Sequence, residues 1–248
     1  MADDLPRGTV PPEAGSEGEC PACGGPLFAW AESHAFDARR DEEYVLDRCE
    51  RCGSAVSRSS SVHPASGPRP RDAADAEVAE LLGEPAPTGP VEIRCSNRRS
   101  LQAGVGEGDW AALELPERPL QLSPAGLEAI LERRGYAVAA VRYPAFGRNQ
   151  RWMWQTLVNA LTFQPNFARE ALAGRLRPGS SGRPVAFAAD LLVSVLAAPL
   201  VALVSFPLEA LAALARRGGE MRVSVVPAAN ASQPSSSTIA ASSPGESS

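Results

Sequence analysis

Two short turns limit this chain more than anything else in it: CPACGG around Cys20 and Cys23, and CERCGS around Cys49 and Cys52. Each is a C-x-x-C-G knuckle, and 25 residues separate Cys23 from Cys49. A tight turn after the first cysteine of each pair brings two sulfurs to one point. The glycine that follows, Gly24 or Gly53, lets backbone amides approach the thiolates. Cys20, Cys23, Cys49 and Cys52 together supply a tetrahedral ligand set for Zn²⁺. YVLDRC, ending at Cys49, reads as a strand that delivers the second pair, which is the layout of a zinc ribbon over residues 19–57. Four thiolates fill the coordination sphere and leave no position for water, so the Zn²⁺ is expected to be structural, stapling a segment too small to fold alone. His34 is not needed as a fifth ligand and reads as a surface residue, as does His63 in the linker that follows.

The chain is long enough at 248 residues, and at 44% hydrophobic content apolar enough, for a real core. Its net charge of -5 speaks against a nucleic-acid partner held by phosphate contacts. All 24 cationic residues are arginine, which carries no functional reading here. The opening MADDLPRGTV lacks a charged-then-apolar run with a cleavage site, so the expected compartment is cytoplasmic. In that reducing setting, paired cysteines are metal ligands rather than disulfides.

Residues 1–18 have no apolar period and read as a disordered lead-in, residues 58–74 as a Ser, Pro and Gly linker, and residues 229–248 as a disordered tail. Between linker and tail, DAADAEVAELLGE predicts a helix with Val78, Leu81 and Leu82 on one face, and VEIRCSN a strand with Val91, Ile93 and Cys95 alternating. The glycines of GVGEG and Trp110 are expected in a loop, and that lone glycine run is not read as a phosphate loop. The strongest local signal is a helix with Ser123 as N-cap, Pro124 at its first position, a stripe of Leu127, Ile130 and Leu131, and Gly135 at its end. YAVAAVRY then reads as a strand, RWMWQTLVNALT and NFAREALAGRL as helices, and GGEMRVSVVPA as a strand alternating Met221, Val223 and Val225. Glu128 and Glu132 share one helix face beside Arg133 and Arg134 and read as solvated surface, not as an acid/base pair.

Leu191 to Leu208 is an uncharged run of 18 residues, interrupted by Pro199 and Pro207, bordered by Asp190 and Glu209 and flanked by arginines. That length is at the short limit for spanning a bilayer. Two readings stay open: a buried or groove-lining helix, and membrane contact through residues 185–215, with Trp152 and Trp154 as candidate interfacial anchors.

The zinc knuckles, then CSNRRS, then GDWAALELPERPLQLSPAGLEAILERRGY, then the helical insert and RGGEMRVSVV, resemble the bacterial class I SAM-dependent methyltransferases, which have a Rossmann-like domain behind an N-terminal zinc ribbon. Asn97, Ser100, Trp110, Pro116, and Ser123-Pro124 with Leu127 match that family's pattern, over about residues 20–57 and 75–228. The resemblance implies an α/β fold: a zinc ribbon, then over 75–228 a truncated Rossmann-like remnant of about three strands, with an apolar helical insert over 150–217. In the parent fold these strands neighbour one another, and loss of their former neighbour leaves a sheet edge open to a protein partner. The departures bear on chemistry. ERPLQLS stands where the family has histidines and an aromatic, and no strand runs into a D-x-G-x-G turn and a helix for SAM. Only 38 residues lie between the second knuckle and Val91, against about 30 for one βαβ unit alone. The expectation is a methyltransferase-like protein without the SAM motif or catalytic residues, acting as a binding or membrane-associated module, with SAM unlikely for the isolated chain. The alternative is an active SAM-dependent methyltransferase completed by a partner chain.

Overall fold

The computed structural model describes residues 18–34, 43–59, 71–83, 86–113, 115, 118–164, 166–167, 171, 174 and 184–231. The lead-in, most of the linker with His63, Pro116, most of the NFAREALAGRL segment, the tail beyond residue 231 and the side chain of His34 lie outside the described residues.

Two antiparallel sheets carry the strands. The first has the order β1-β2-β3-β5, from Leu27–His34, Glu43–Cys49, Ala55–Ser59 and the two-residue strand Leu120–Gln121. The second has the order β4-β7-β6, from Val91–Ser96, Glu220–Pro227 and Tyr136–Arg142, with β7 antiparallel to both neighbours. The expected alternation is present: Met221, Val223 and Val225 of β7 are buried and pair with Cys95, Ile93 and Val91 of β4. Side chains two apart share a face of a strand, so this one face makes the core layer.

Helix α1 (Arg71–Leu82) and helix α3 (Pro124–Arg133) cover that layer. Val78 and Leu82 of α1 and Leu127, Ile130 and Leu131 of α3 are buried in one cluster with Ile93, Met221, Val223 and Val225. Each large aliphatic side chain so buried contributes about 1.5–3 kcal/mol. Cys20, Ala22, Leu27, Cys49, Cys52 and Val56 belong to the same cluster, so the cysteine knuckles and the second sheet share one core. The start of α3 matches its sequence signals: the Ser123 hydroxyl accepts from Gly126 N at 2.9 Å, Pro124 opens the helix, and Gly135 stands at φ +79 after it.

The expected loop after β4 is instead a short helix, α2 (Leu101–Gly106), running into a 3₁₀ turn at Glu107–Asp109. Ser100 starts it, its hydroxyl accepting from Ala103 N at 3.0 Å. Gly106 and Gly108 serve close packing rather than a loop. A Cβ on Gly106 would lie 2.5 Å from the Thr156 methyl, and one on Gly108 would lie 1.7 Å from the Glu32 carbonyl oxygen. Trp110 ends this turn fully buried, its indole donating to Gln102 Oε1 at 3.4 Å.

Helix α4 (Arg148–Asn159) packs on α5 (Pro184–Leu214), and a four-residue helix, α6 (Ala228–Ala231), follows β7. Helix α5 is inverted in polarity. Its buried positions are Asp190, Ser205, Glu209 and Ala212, while Leu192, Leu196, Leu200 and Leu203 face outward at 60–76% exposure. Both acids are spent on holding the helix down. The Asp190 carboxylate accepts from Phe163 N at 2.6 Å and Gln164 N at 3.1 Å, and Glu209 accepts from Gln102 Nε2 at 2.7 Å and Gly219 N at 3.0 Å.

Ser123→Ala removes a helix cap and, with it, the hydroxyl that donates to Cys52 O at 2.6 Å. The expected loss is about 1–2 kcal/mol, read as a lower urea midpoint with an unchanged m-value.

Candidate metal centre and the cleft beside it

The two knuckles close as their sequence spacing requires. Gly24 N donates to Cys20 O at 2.7 Å and Gly53 N to Cys49 O at 2.9 Å, with Gly24 at φ +71 and Gly53 at φ +79, where a side chain would be strained. Strand β2 ends at Cys49 and delivers the second pair against the first. Gly25 is the residue that lets the turns meet: a Cβ there would lie 3.0 Å from Cys49 Sγ and 2.8 Å from Arg51 Cβ.

The four sulfurs lie within 4.8 Å of one another, with Cys20 to Cys52 at 3.7 Å and Cys23 to Cys49 at 3.5 Å. Those separations are far beyond a disulfide bond of about 2 Å. They are close to the ~3.8 Å sulfur–sulfur edge of a tetrahedron with metal–sulfur bonds of about 2.3 Å. Cys20, Cys23, Cys49 and Cys52 thus form a site that fits a metal such as zinc. Ser54 N points at Cys52 Sγ at 3.5 Å, an amide–sulfur contact that favours thiolate. The hydrogen bond between Cys20 and Cys52 pushes the Cys20 pKa up and holds the Cys52 thiol down, at about 4. Burial pushes Cys23 up to about 11.

Arg133 of α3 ties this centre to the core by donating to the carbonyls of Ala22 and Pro21 and pairing with Asp75 of α1 at 2.6 Å. Cys95 stands apart in β4, where burial pushes its thiol up to about 12. It is a core residue.

Beside the second knuckle lies a cleft of about 970 Å³. Arg48, Arg51, Arg98, Arg99, Arg216 and Arg217 line it, against two acids, Glu50 and Glu107. Arg98 is 95% buried, lies 3.3 Å over the Trp30 ring, and has no acceptor for its Nε. Burial first, and then the like charge of Arg48, lower its pKa to about 10. Sequence reasoning missed this cluster. Its signal was two arginine pairs: Arg98-Arg99 just after β4, and Arg216-Arg217 just before β7. Because β4 and β7 are antiparallel neighbours with Ser96 opposite Glu220, both pairs fall at one end of one sheet.

The residues that carry the family resemblance serve the fold locally. Asn97 donates to Gly218 O at 3.0 Å and accepts from Arg99 N at 3.0 Å, Ser100 caps α2, Trp110 is core, and Ser123 caps α3. No family model matches the sequence, and no curated protein or solved structure matches it.

Two outcomes test the metal centre. Zinc titration saturates at one ion per chain and releases protons, Cys20 and Cys23 among their sources, so zinc affinity falls as pH falls. Cys49→Ser weakens zinc by more than the roughly 10–100-fold that changes outside the ligand shell cost, measured by competition with a chromogenic chelator.

Proposed function

We propose that this chain is a methyltransferase-like module with a structural zinc ribbon and no cofactor unit of its own, and that it works by binding at a membrane surface rather than by catalysis. The single observation that carries the membrane reading is the inverted helix α5. The most apolar 18-residue window within Val185–Leu214 has a mean hydropathy of 2.4, and only 6% of that window is buried. The helix's length and composition are enough to cross a membrane. The outward leucines run on into Phe146, which stacks on Phe206 with ring centroids 5.2 Å apart. The result is an uncovered apolar face of the kind that soluble monomers keep to a few hundred Å².

The buried acids argue for how the helix meets lipid. Asp190 and Glu209 lie 19 residues apart, about 28 Å along the axis. Both are bonded to the body of the protein. An upright span would drag Asp190 and Glu209 off their partners, and leaving a buried hydrogen-bonding group unsatisfied costs about 1–3 kcal/mol. Lying flat, with its leucines in the acyl boundary and its polar face still on the body, the helix keeps those bonds. The arginines at its C-terminal end, Arg216 and Arg217, are exposed, where anionic headgroups attract them.

What supports the ribbon is the pair of knuckles on three antiparallel strands, β1 to β3. What supports the methyltransferase ancestry is the adjacency of β4, β7 and β6, the three strands expected to neighbour one another. Neither adjacency nor knuckles supplies a cofactor site, which is why binding is favoured over catalysis.

In liposome flotation the zinc-loaded protein is expected to rise with the vesicles, and Leu196→Glu with Leu203→Glu to remain at the bottom as folded, soluble protein. Wild-type protein that stays at the bottom, monomeric, would overturn the membrane reading. Titration with SAM by calorimetry is expected to give no binding heat; micromolar binding to the isolated chain would return the protein to the enzymes.

A further inference from the structure

The arginine cleft borders both the metal centre, through Cys49 and Cys52, and the end of the apolar helix, through Arg216 and Arg217, yet its cations serve neither. Six arginines against two glutamates is an excess that survives even when a zinc–tetrathiolate, formally -2, is counted against it through Cys49 and Cys52. In a chain whose net charge is -5, such a concentration of cations is a local construction. It is assembled from separate pieces: Arg48 and Arg51 from β2 and the second knuckle, Arg98 and Arg99 from the turn after β4, Arg216 and Arg217 from the end of α5. Tyr143, after β6, feels both Arg99 and Arg216, which lower a pKa that burial raises. Arg99 lies over Gly53, its Cδ 3.2 Å from where a Cβ would stand, and Arg217 reaches 4.0 Å from the same point on Gly104.

Two features point to a ligand. The first is Arg98. A guanidinium 95% buried, with Nε lacking an acceptor and with another arginine beside it, is a cation placed at a cost. The Trp30 ring beneath it offsets part of that cost and holds the fork flat, but supplies no hydrogen-bond acceptor. The second is backbone strain. Among the described residues three non-glycines have positive φ, and two of them line the cleft: Glu107 at φ 45 and Arg216 at φ 58. Arg216 takes the left-handed position that ends α5, with Arg217 N bonded back to Ala212 O at 2.7 Å. Glycine is the usual residue there, and two glycines, Gly218 and Gly219, follow directly in the sequence. Strain of this kind persists where it positions a functional group.

We propose that this cleft binds a phosphate-bearing ligand of two or more negative charges, with Arg98 as its buried anchor and Arg48 and Arg216 closing on the same group. Planar guanidinium forks match phosphate oxygens two at a time, and a dianion supplies the acceptor that Arg98 lacks. A free phosphomonoester or diphosphate and a phosphomonoester lipid headgroup present the same chemistry. The proposal does not rest on membrane binding, because its first test contains no lipid.

The probe is inorganic pyrophosphate, titrated calorimetrically into the full zinc-loaded chain in non-ionic detergent at about 0.15 M salt. Saturable binding with Kd below about 1 mM is expected. Arg98→Met should weaken it at least about tenfold. Arg98 is buried, so Arg216→Gly is the second variant. It relieves strain, so its melting temperature should hold or rise while its pyrophosphate affinity falls. No saturable binding, or binding unchanged in both variants, overturns the proposal. Vesicles containing phosphatidic acid then identify the source: competition with pyrophosphate assigns the site to a headgroup, and undiminished pyrophosphate binding in their presence assigns it to a free ligand. A single-stranded RNA that binds this cleft and is not displaced by pyrophosphate would also overturn it.

Discussion

The contact between the second cysteine knuckle and the first turn of α3 holds the two halves of this protein in register. Ser54 Oγ accepts from Ser123 N at 3.0 Å, and the Ser123 hydroxyl donates to Cys52 O at 2.6 Å while accepting from Gly126 N. One buried hydroxyl thereby serves both a metal-site turn and a helix cap. Gly126 is part of the same contact, since a Cβ there would lie 2.0 Å from Ser54 Oγ. From this point α3 carries Leu127, Ile130 and Leu131 onto the second sheet, and Arg133, two turns on, reaches back to the first knuckle. A cluster of four sulfurs is too small to be a core alone, and a three-stranded sheet with one covered face is little better. Joined through α3, each completes the other's burial.

Helix α5 inverts the usual economy of a surface helix. A soluble helix turns its leucines inward and its acids to water. Here Asp190 and Glu209 are inside, each accepting a backbone amide, and the leucines are outside. The same polarity sets where Pro199 and Pro207 are tolerated. Both remove a helix donor, yet the helix runs unbroken through them. Near the first of them, Trp154 donates to Ala198 O at 2.9 Å, pinning α5 to α4 at mid-length. The long helix is therefore fastened at its start, middle and end by polar contacts, leaving its apolar side uncovered.

What was legible in the sequence was whatever local chemistry decides. The knuckles, the Ser123-Pro124 start, the Gly135 stop and the alternation in β4 and β7 each depend on residues a few positions apart, and each appears where expected. GVGEG misled because two of its glycines answer to distant neighbours: Thr156 crowds Gly106, and the Glu32 carbonyl crowds Gly108. Glycine without its tertiary partners looks like a loop signal. In α5 the pairs Asp190 with Ser194 and Ser205 with Glu209 are four apart, the spacing that puts them on one helix face. That polar stripe was readable, but not whether it faced inward, because only the partners at Phe163, Gln102 and Gly219 decide that. The arginine cleft was the least visible, since no single segment holds more than two of its cations together.

The end of the second sheet ties these parts to one another. The C-terminal ends of β4 and β6 and the start of β7 lie together there, because β7 is antiparallel to both. Asn97, at the end of β4, donates to Gly218 O and accepts from Arg99 N, so one side chain fixes the glycine turn after α5 and the arginine that lies over Gly53. Glu209 bonds the next glycine, Gly219, and through Gln102 reaches the indole of Trp110. A cysteine knuckle, the cationic cleft and the last turn of the apolar helix are thus linked by hydrogen bonds and close packing that leave little slack. Shifting α5 by one turn along its axis, about 5.4 Å, would have to break the Glu209 pair and carry Arg216 and Arg217 away from the cleft together. The same bonds that keep the helix flat on the body therefore keep the cleft assembled.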